Sequence, residues 1–275
     1  MEQVEAAALS PGKVEIRHCD TLAEYEQCVR LERITWGEAT LVPTAIFVVA
    51  KETGGQILGA FVGKELVGFT LALAGIRDGR LFLHSHMTAV LEAYRDQGVG
   101  RSLKFFQRQD ALSRGISLVE WTFDPLELKN AHFNFMRLGA IARRLIPDCY
   151  GITGSPVHAG MPTDRLVAEW WLDSPRVNAL LASSGTGAQA AGGTLTGYIL
   201  PLDAVKIAVP SNIGELRFVN REAAQRIQSD VRAQFENWFA KDYVATAISI
   251  GDASAEFILQ PATSVAADIF PANQR

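Results

Sequence analysis

Cysteine is scarce: the 275 residues include three, Cys19, Cys28 and Cys149. The count is odd and no Cys-x-x-Cys pair occurs, so neither a disulfide framework nor a zinc site is written here. Long apolar runs are missing too. The most apolar stretch, Leu41 to Ala50, is broken by Pro43 and Thr44 and is far shorter than the ~20 residues a membrane helix needs. There is no excess of positive charge, with 26 Lys and Arg against 30 Asp and Glu and a net charge of −4. That excludes a general affinity for nucleic acid or an anionic membrane, so an anionic ligand would need a local site of backbone amides or a few arginines. Residues near the start, among them Glu2 and Glu5, form no basic or apolar region of a signal peptide. These absences set the expectation of a soluble, cytoplasmic protein with reduced thiols filling its core. With 48% hydrophobic residues, the chain can bury a substantial core as one large domain or two small ones.

The period of the apolar residues divides the chain. Val14 to His18 alternates as a strand. Thr21-Leu22-Ala23-Glu24 has the form of a capping box ahead of a helix, and Pro43 can open a second one. Ile57 to Val62 and Leu66 to Ala74 are β-rich runs joined at Gly63-Lys64-Glu65. A third run, Leu81 to Val90, follows Asp78-Gly79. Then come a helix over Gly98 to Arg114, a strand over Ile116 to Phe123, a helix over Asn130 to Leu138 closed by Gly139, and strands over Ala140 to Leu145 and Leu166 to Leu172. The order predicts an α/β (α+β) fold with a mixed sheet and helices on its faces. Ser174-Pro175 reads as a boundary, or as the start of a connecting helix, dividing residues 1–173 from a smaller α+β extension over 174–275. Residues 182–193, rich in Ala, Gly and Ser, read as a flexible loop. Beyond it, Ile227, Val231, Phe235 and Trp238 stripe a helix, and Val244 to Ile250 pairs with Glu256 to Leu259 around Gly251-Asp252. Some eighty residues make a small core, so the extension is expected to pack on the first domain. Covering a sheet edge or forming a homodimer are its leading roles.

The most informative stretch is a strand, then Arg95-Asp96-Gln97-Gly98-Val99-Gly100-Arg101-Ser102, then a helix. A helix N-terminus presents unpaired amides and the positive end of the macrodipole, and two glycines let phosphate oxygens approach the backbone. A dinucleotide fingerprint would need a small residue where Leu103 stands. A Walker A loop would need a lysine where Arg101 stands, and its first glycine would fall at Arg95.

Arg95, Gly98 and Gly100 instead match Arg/Gln-x-x-Gly-x-Gly/Ala, so the segment resembles motif A of the GNAT superfamily of acyl-CoA-dependent N-acyltransferases. Val90-Leu91-Glu92-Ala93-Tyr94 is similar to the run that precedes the motif there, with Glu92 in place of a proline. Asn130 to Ala140 resembles the superfamily's Asn-rich helix ending in Leu-Gly-Phe. The resemblance spans roughly Val14 to Leu172, and Thr122 to Leu126 with Pro162 to Leu166 look like a little-characterised branch carrying a C-terminal extension. It implies acetyl-CoA or another short acyl-CoA as donor. Backbone groups of Thr88, Ala89 and Val90 would hold the pantetheine arm, the amides and side chains from Arg95 to Ser102 the pyrophosphate, and Asn130 would touch the cofactor near its thioester.

Acyl transfer needs a neutral amine and a proton for the departing thiolate. An α-amino group, with pKa about 7.7–8.0, asks only for a modest base. Candidates are Glu120, a carboxylate in a central strand, and His84 and His86, two apart on one strand and so on one face. A metal pair is not favoured, for no third ligand stands at a recognisable spacing. The resemblance implies a tyrosine where Phe135 stands, leaving Tyr150, Tyr94 or water as proton donor, or a thiolate that departs unprotonated. His84 and Arg165 are substrate-binding candidates. Arg143, Arg144 and Arg165 could grip a carboxylate, although Arg165 beside Asp164 also reads as a structural ion pair. The leading expectation is transfer to a small-molecule amine; an acyl-CoA-sensing module and protein or peptide N-acylation are the alternatives.

Overall fold

The computed structural model describes residues 13–38, 41–151, 160–184 and 203–271. Contacts cluster into two compact units: Met1–Ala74 with Ser85–Asp110, and Gly75–His84 with Ala111–Arg275. This line does not follow the sequence boundary at 173/174.

The first unit begins with β1 (Glu15–His18) and α1 (Leu22–Trp36), whose N-cap Thr21 and N3 residue Glu24 form the expected reciprocal capping box. Helix α2 (Thr44–Glu52) follows, capped at Pro43. Next are β2 (Gln56–Val62), β3 (Glu65–Arg77) and β4 (Arg80–Val90), the last two passing into the second unit. Helix α3 (Val99–Ser113) ends before the left-handed Gly115. Strand order in this unit is β1-β2-β3-β4. One side of the sheet buries Phe61, Phe69 and Leu71 with Tyr25, Cys28 and Phe47 of the first two helices. Leu58, Ala60 and Val67 pack with Val99 and Leu103 of α3 in a separate cluster. A Cβ on Gly68 would meet the Ala89 carbonyl oxygen at 3.1 Å and Leu103 at 3.3 Å, so the glycine permits that close approach.

The second unit takes the turn end of the β3–β4 hairpin, where Asp78 and Gly79 are both left-handed (φ 52° and 73°) as a tight primed turn requires. It continues with β5 (Leu118–Phe123), α4 (Leu128–His132), β6 (Ile141–Ile146), β7 (Arg165–Trp171) and α5 (Pro175–Ser184). Then come β8 (Val205–Pro210), α6 (Ile213–Val219), α7 (Arg221–Phe239), β9 (Tyr243–Ile250), β10 (Ser254–Pro261) and α8 (Ala262–Ile269). Strand order is β4-β5-β7-β6-β9-β10-β8, with β4 and β5 parallel and the other pairs antiparallel.

Several sequence expectations change. The helix expected over Asn130 to Leu138 starts at Leu128 and turns into a π-helix over Phe133–Leu138, closed by left-handed Gly139. Ala182 to Ser184 end α5 instead of opening a loop; the rest of the 182–193 stretch lies outside the described residues. Ser174 caps α5 by accepting the Val177 amide at 3.2 Å. Of the α7 stripe, Val231 and Phe235 are buried, with Ala224 and Gln228, whereas Ile227 and Trp238 are only partly covered. Trp170 and Trp171 are both buried, the second against Phe270 at 5.2 Å between ring centroids.

Candidate active site

In the first unit, the chain leaves β4 through a short 3-10 turn, Glu92–Tyr94, before entering α3. Arg95 is turned back to donate from Nε to the Val90 carbonyl at 3.0 Å, and Gln97 donates to the Ala93 carbonyl at 2.6 Å. Asp96 and Gly98 are both left-handed, at φ 59° and 81°, a conformation that only glycine adopts freely. The first α3 bond runs from the Ser102 amide to the Gly98 carbonyl at 2.9 Å, which leaves the amides before it without an intrahelical acceptor. A Cβ on Gly98 would meet nothing within 4 Å, and one on Gly100 only Val90 at 3.8 Å. Packing therefore does not demand glycine at position 100, where an alanine would favour the helix by about 1 kcal/mol. Arg95, Asp96, Gln97 and Ser102 are exposed, Arg101 is partly covered over the Phe105 ring, and Val99 is buried. Upstream, Thr88 shares a 3.0 Å hydrogen bond with buried Thr70, and Ala89 is buried.

Beneath α3 lies a polar chain that sequence reasoning missed. Lys104, almost fully buried, donates to Ser85 Oγ at 2.8 Å and Gln107 Oε1 at 3.1 Å. Gln107 bonds Gln56, Gln56 bonds Asp110, and Asp110 meets His18. Desolvation lowers the Lys104 pKa to about 7. Its only sequence signal is a lysine next to Leu103 on the inner face of a helix. Glu32, fully buried on α1, accepts the Val42 amide at 2.9 Å through one oxygen, and burial raises its pKa to about 7. His86 lies at the surface of β4, yet protein crowds its ring enough that desolvation moves its pKa below the usual value.

In the second unit, the register places His84 beside Glu120 and Glu120 opposite Glu169. Both carboxylates are buried, on one face of the sheet. Arg77 donates to both Glu120 oxygens at 2.8 and 2.7 Å, and Arg144 to both at 3.1 Å. Arg143 Nε donates to both oxygens of Glu169 at 2.9 and 3.1 Å. The acceptor sites of Glu120 are thus engaged by two guanidiniums, and the free base that the sequence suggested is held as an ion pair. Two residues along β5, Thr122 shares a 2.7 Å hydrogen bond with the Tyr150 hydroxyl, and Tyr150 is half exposed. Arg165 sits 5.6 Å from the Tyr150 ring. It is itself buried and pairs with Asp124 at 3.8 Å, while Asp164 pairs with Arg232 at 2.7 Å, so the adjacent Asp164–Arg165 ion pair does not form. In this unit His84 neighbours Glu120, and Tyr150 neighbours Thr122 and Arg165. Asn130 is exposed on α4. Phe135 is wholly buried, edge-on to Phe123 and Phe257; it serves the core.

No known family profile and no curated protein matches the chain. Solved structures of low similarity were found. NAA60 of Arabidopsis thaliana in complex with acetyl-CoA is 12% identical over 58% of this chain and 99% of its own, with a TM-score of 0.48. An acetyltransferase of the GNAT family from Streptococcus pneumoniae is 14% identical over 57% and 98%, with a TM-score of 0.45. Ard1 from Thermoplasma volcanium is 15% identical over 57% and 95%, also at 0.45.

Proposed function

We propose that the chain is a GNAT-type N-acyltransferase that moves an acetyl or similar short acyl group from acyl-CoA to the amine of a small molecule by direct attack. In this reading residues 1–173 carry the transferase fold and 174–275 its extension. The observation that carries it is the Gly98–Gly100 loop: a left-handed glycine, a helical glycine that packing does not need, and the open amide end of a fifteen-residue helix. Phosphate oxygens fit that combination. The side chains of Arg95 and Arg101 would add charge at its rim, Thr88 to Val90 would meet the pantetheine, and Asn130 would lie toward the thioester.

The chain's own groups would act on the acceptor as follows. The His86 ring, whose pKa desolvation lowers, can accept the proton of an attacking amine. Tyr150, with its hydroxyl on Thr122, can return one to the thiolate. Glu120 positions Arg77 and Arg144, each of which engages both of its oxygens. His84 and Arg165 fall to the acceptor side. A cofactor-sensing module is the second reading, favoured by Phe135, which has no hydroxyl and is buried.

The test is a CoA-release assay with acetyl- and succinyl-CoA against amino acids and small amines, with Gly98→Asp as control. Turnover that disappears in the variant establishes the transferase. Tight CoA binding without turnover on any acceptor supports the sensor, and absence of CoA binding overturns both.

A further inference from the structure

Glu120 and Glu169 stand directly opposite on β5 and β7 with side chains 4% and 2% exposed. Like charges facing across a sheet repel, and buried carboxylates need partners. Two guanidiniums would neutralise them; the same face carries four. Arg77 and Arg144 engage Glu120, Arg143 engages Glu169, and Arg80 lies over the Trp171 ring at 5.3 Å. The local charge is therefore +2.

The arrangement of β6 adds to this. Ala142 pairs with Ala168 and Leu145 with Leu166, so Arg143 and Arg144 together oppose the single residue Val167. The bulge re-aims two consecutive side chains that would otherwise alternate, and both reach the carboxylate face. The side chains of Arg77, Arg143 and Arg144 are 45%, 45% and 42% exposed. Arg77 uses Nη1, Arg143 Nε and Arg144 Nη2 for their closest carboxylate bonds. Arg77 and Arg143 also lie over the Phe82 and Phe270 rings, at 4.5 and 5.3 Å. The buried carboxylates thus hold guanidinium groups that remain partly exposed.

We infer that this face of β5, β7 and β6 binds a small molecule bearing two carboxylates. Arginine forks take carboxylates in bidentate pairs, and two carboxylates on one molecule balance the +2 charge while engaging more than one fork. The inference rests on the transferase reading only in one respect: it makes the acceptor, or the acyl group, an acidic one.

The test is calorimetric titration of the full chain with succinate, glutarate and inorganic phosphate, without CoA. Saturable dicarboxylate binding is expected, at least tenfold tighter than phosphate. The double variant Arg143→Gln with Glu169→Gln, which removes one pair without stranding a buried charge, is expected to weaken it at least tenfold. Arg80→Gln, on an exposed side chain, is expected to weaken it about threefold and decides the matter where the double variant does not fold. No saturable binding, equal affinity for phosphate, or unchanged affinity in the folded variants would overturn the inference. Gly98→Asp separates the two proposals, because it should abolish CoA binding and leave dicarboxylate affinity intact. If CoA fails to bind and dicarboxylates bind, the transferase reading falls and the anion site stands.

Discussion

Lys104 and Glu32 titrate in adjoining windows with opposite effects on stability. Desolvation depresses the Lys104 pKa from 10.5 to about 7, so between those values the unfolded chain binds more protons than the folded one. Stability from this group therefore rises with pH across the window, and the penalty is complete below about pH 7. Its ceiling is about 5 kcal/mol, reduced by the bonds to Ser85 and Gln107. Urea unfolding at pH 6, 7.5 and 9 should show this slope in the native chain and lose it in Lys104→Met. Glu32 moves up, from 4.5 to about 7, so the folded state binds more protons there, and stability falls as pH rises through that interval. Glu32→Gln should match the native chain near pH 4.5 and be more stable above pH 7, by up to about 3 kcal/mol. An equal deficit at both pH values would mean that the hydrogen bond to Val42 cancels the desolvation.

The loop between β4 and α3 predicts a separation of stability from ligand affinity. Gly100→Ala should leave the melting temperature unchanged or raise it, since the added Cβ meets only Val90 at 3.8 Å and helix propensity gains about 1 kcal/mol. Gly100→Val, whose larger side chain would stand where phosphate oxygens are proposed to lie, should by contrast lower CoA affinity at least tenfold in calorimetry. Gly98→Ala differs: at φ 81° it introduces backbone strain of about 1 kcal/mol, so stability and affinity fall together. A melting temperature that drops for Gly100→Ala, with unchanged CoA affinity in Gly100→Val, would make Gly100 structural. At the N-terminus of α1, Thr21→Ala should destabilise by about 1 kcal/mol in thermal melts, for it removes one half of an observed capping box.

The second unit is closed by long-range ion pairs. Arg217 on α6, 4% exposed, reaches Asp124 at 2.7 Å and Glu127 at 2.6 Å, some ninety residues earlier. Arg217→Met leaves Asp124 with Arg165 at 3.8 Å, and should destabilise by roughly 3 to 5 kcal/mol in denaturant unfolding. Strand β6 pairs with β9, and Arg232 of α7 pairs with Asp164. A chain ending at residue 173 should therefore be insoluble or molten by near-ultraviolet circular dichroism. A cooperative melt of that fragment would support the boundary at 173/174.

The sequence by itself determined what depends on local chemistry. The Thr21–Glu24 cap, the Asp78-Gly79 turn, the strand periods and the glycines ahead of α3 all act within a few residues, so residue type and spacing reveal them. The candidate loop was readable for the same reason. Only the tertiary structure decided which charges meet. Adjacent Asp164 and Arg165 took separate partners, Arg232 and Asp124. Glu120, a plausible base on its strand, is bound by Arg77, forty-three residues earlier, and by Arg144. Arg143 and Arg144 share a face only because of a bulge, which no alternation rule foretells. Lys104 reads as a polar residue on a helix, and its burial among Ser85 and Gln107 emerges only when α3 is laid down. Ion pairing and burial depend on three-dimensional proximity, and one sequence carries no local signal of it.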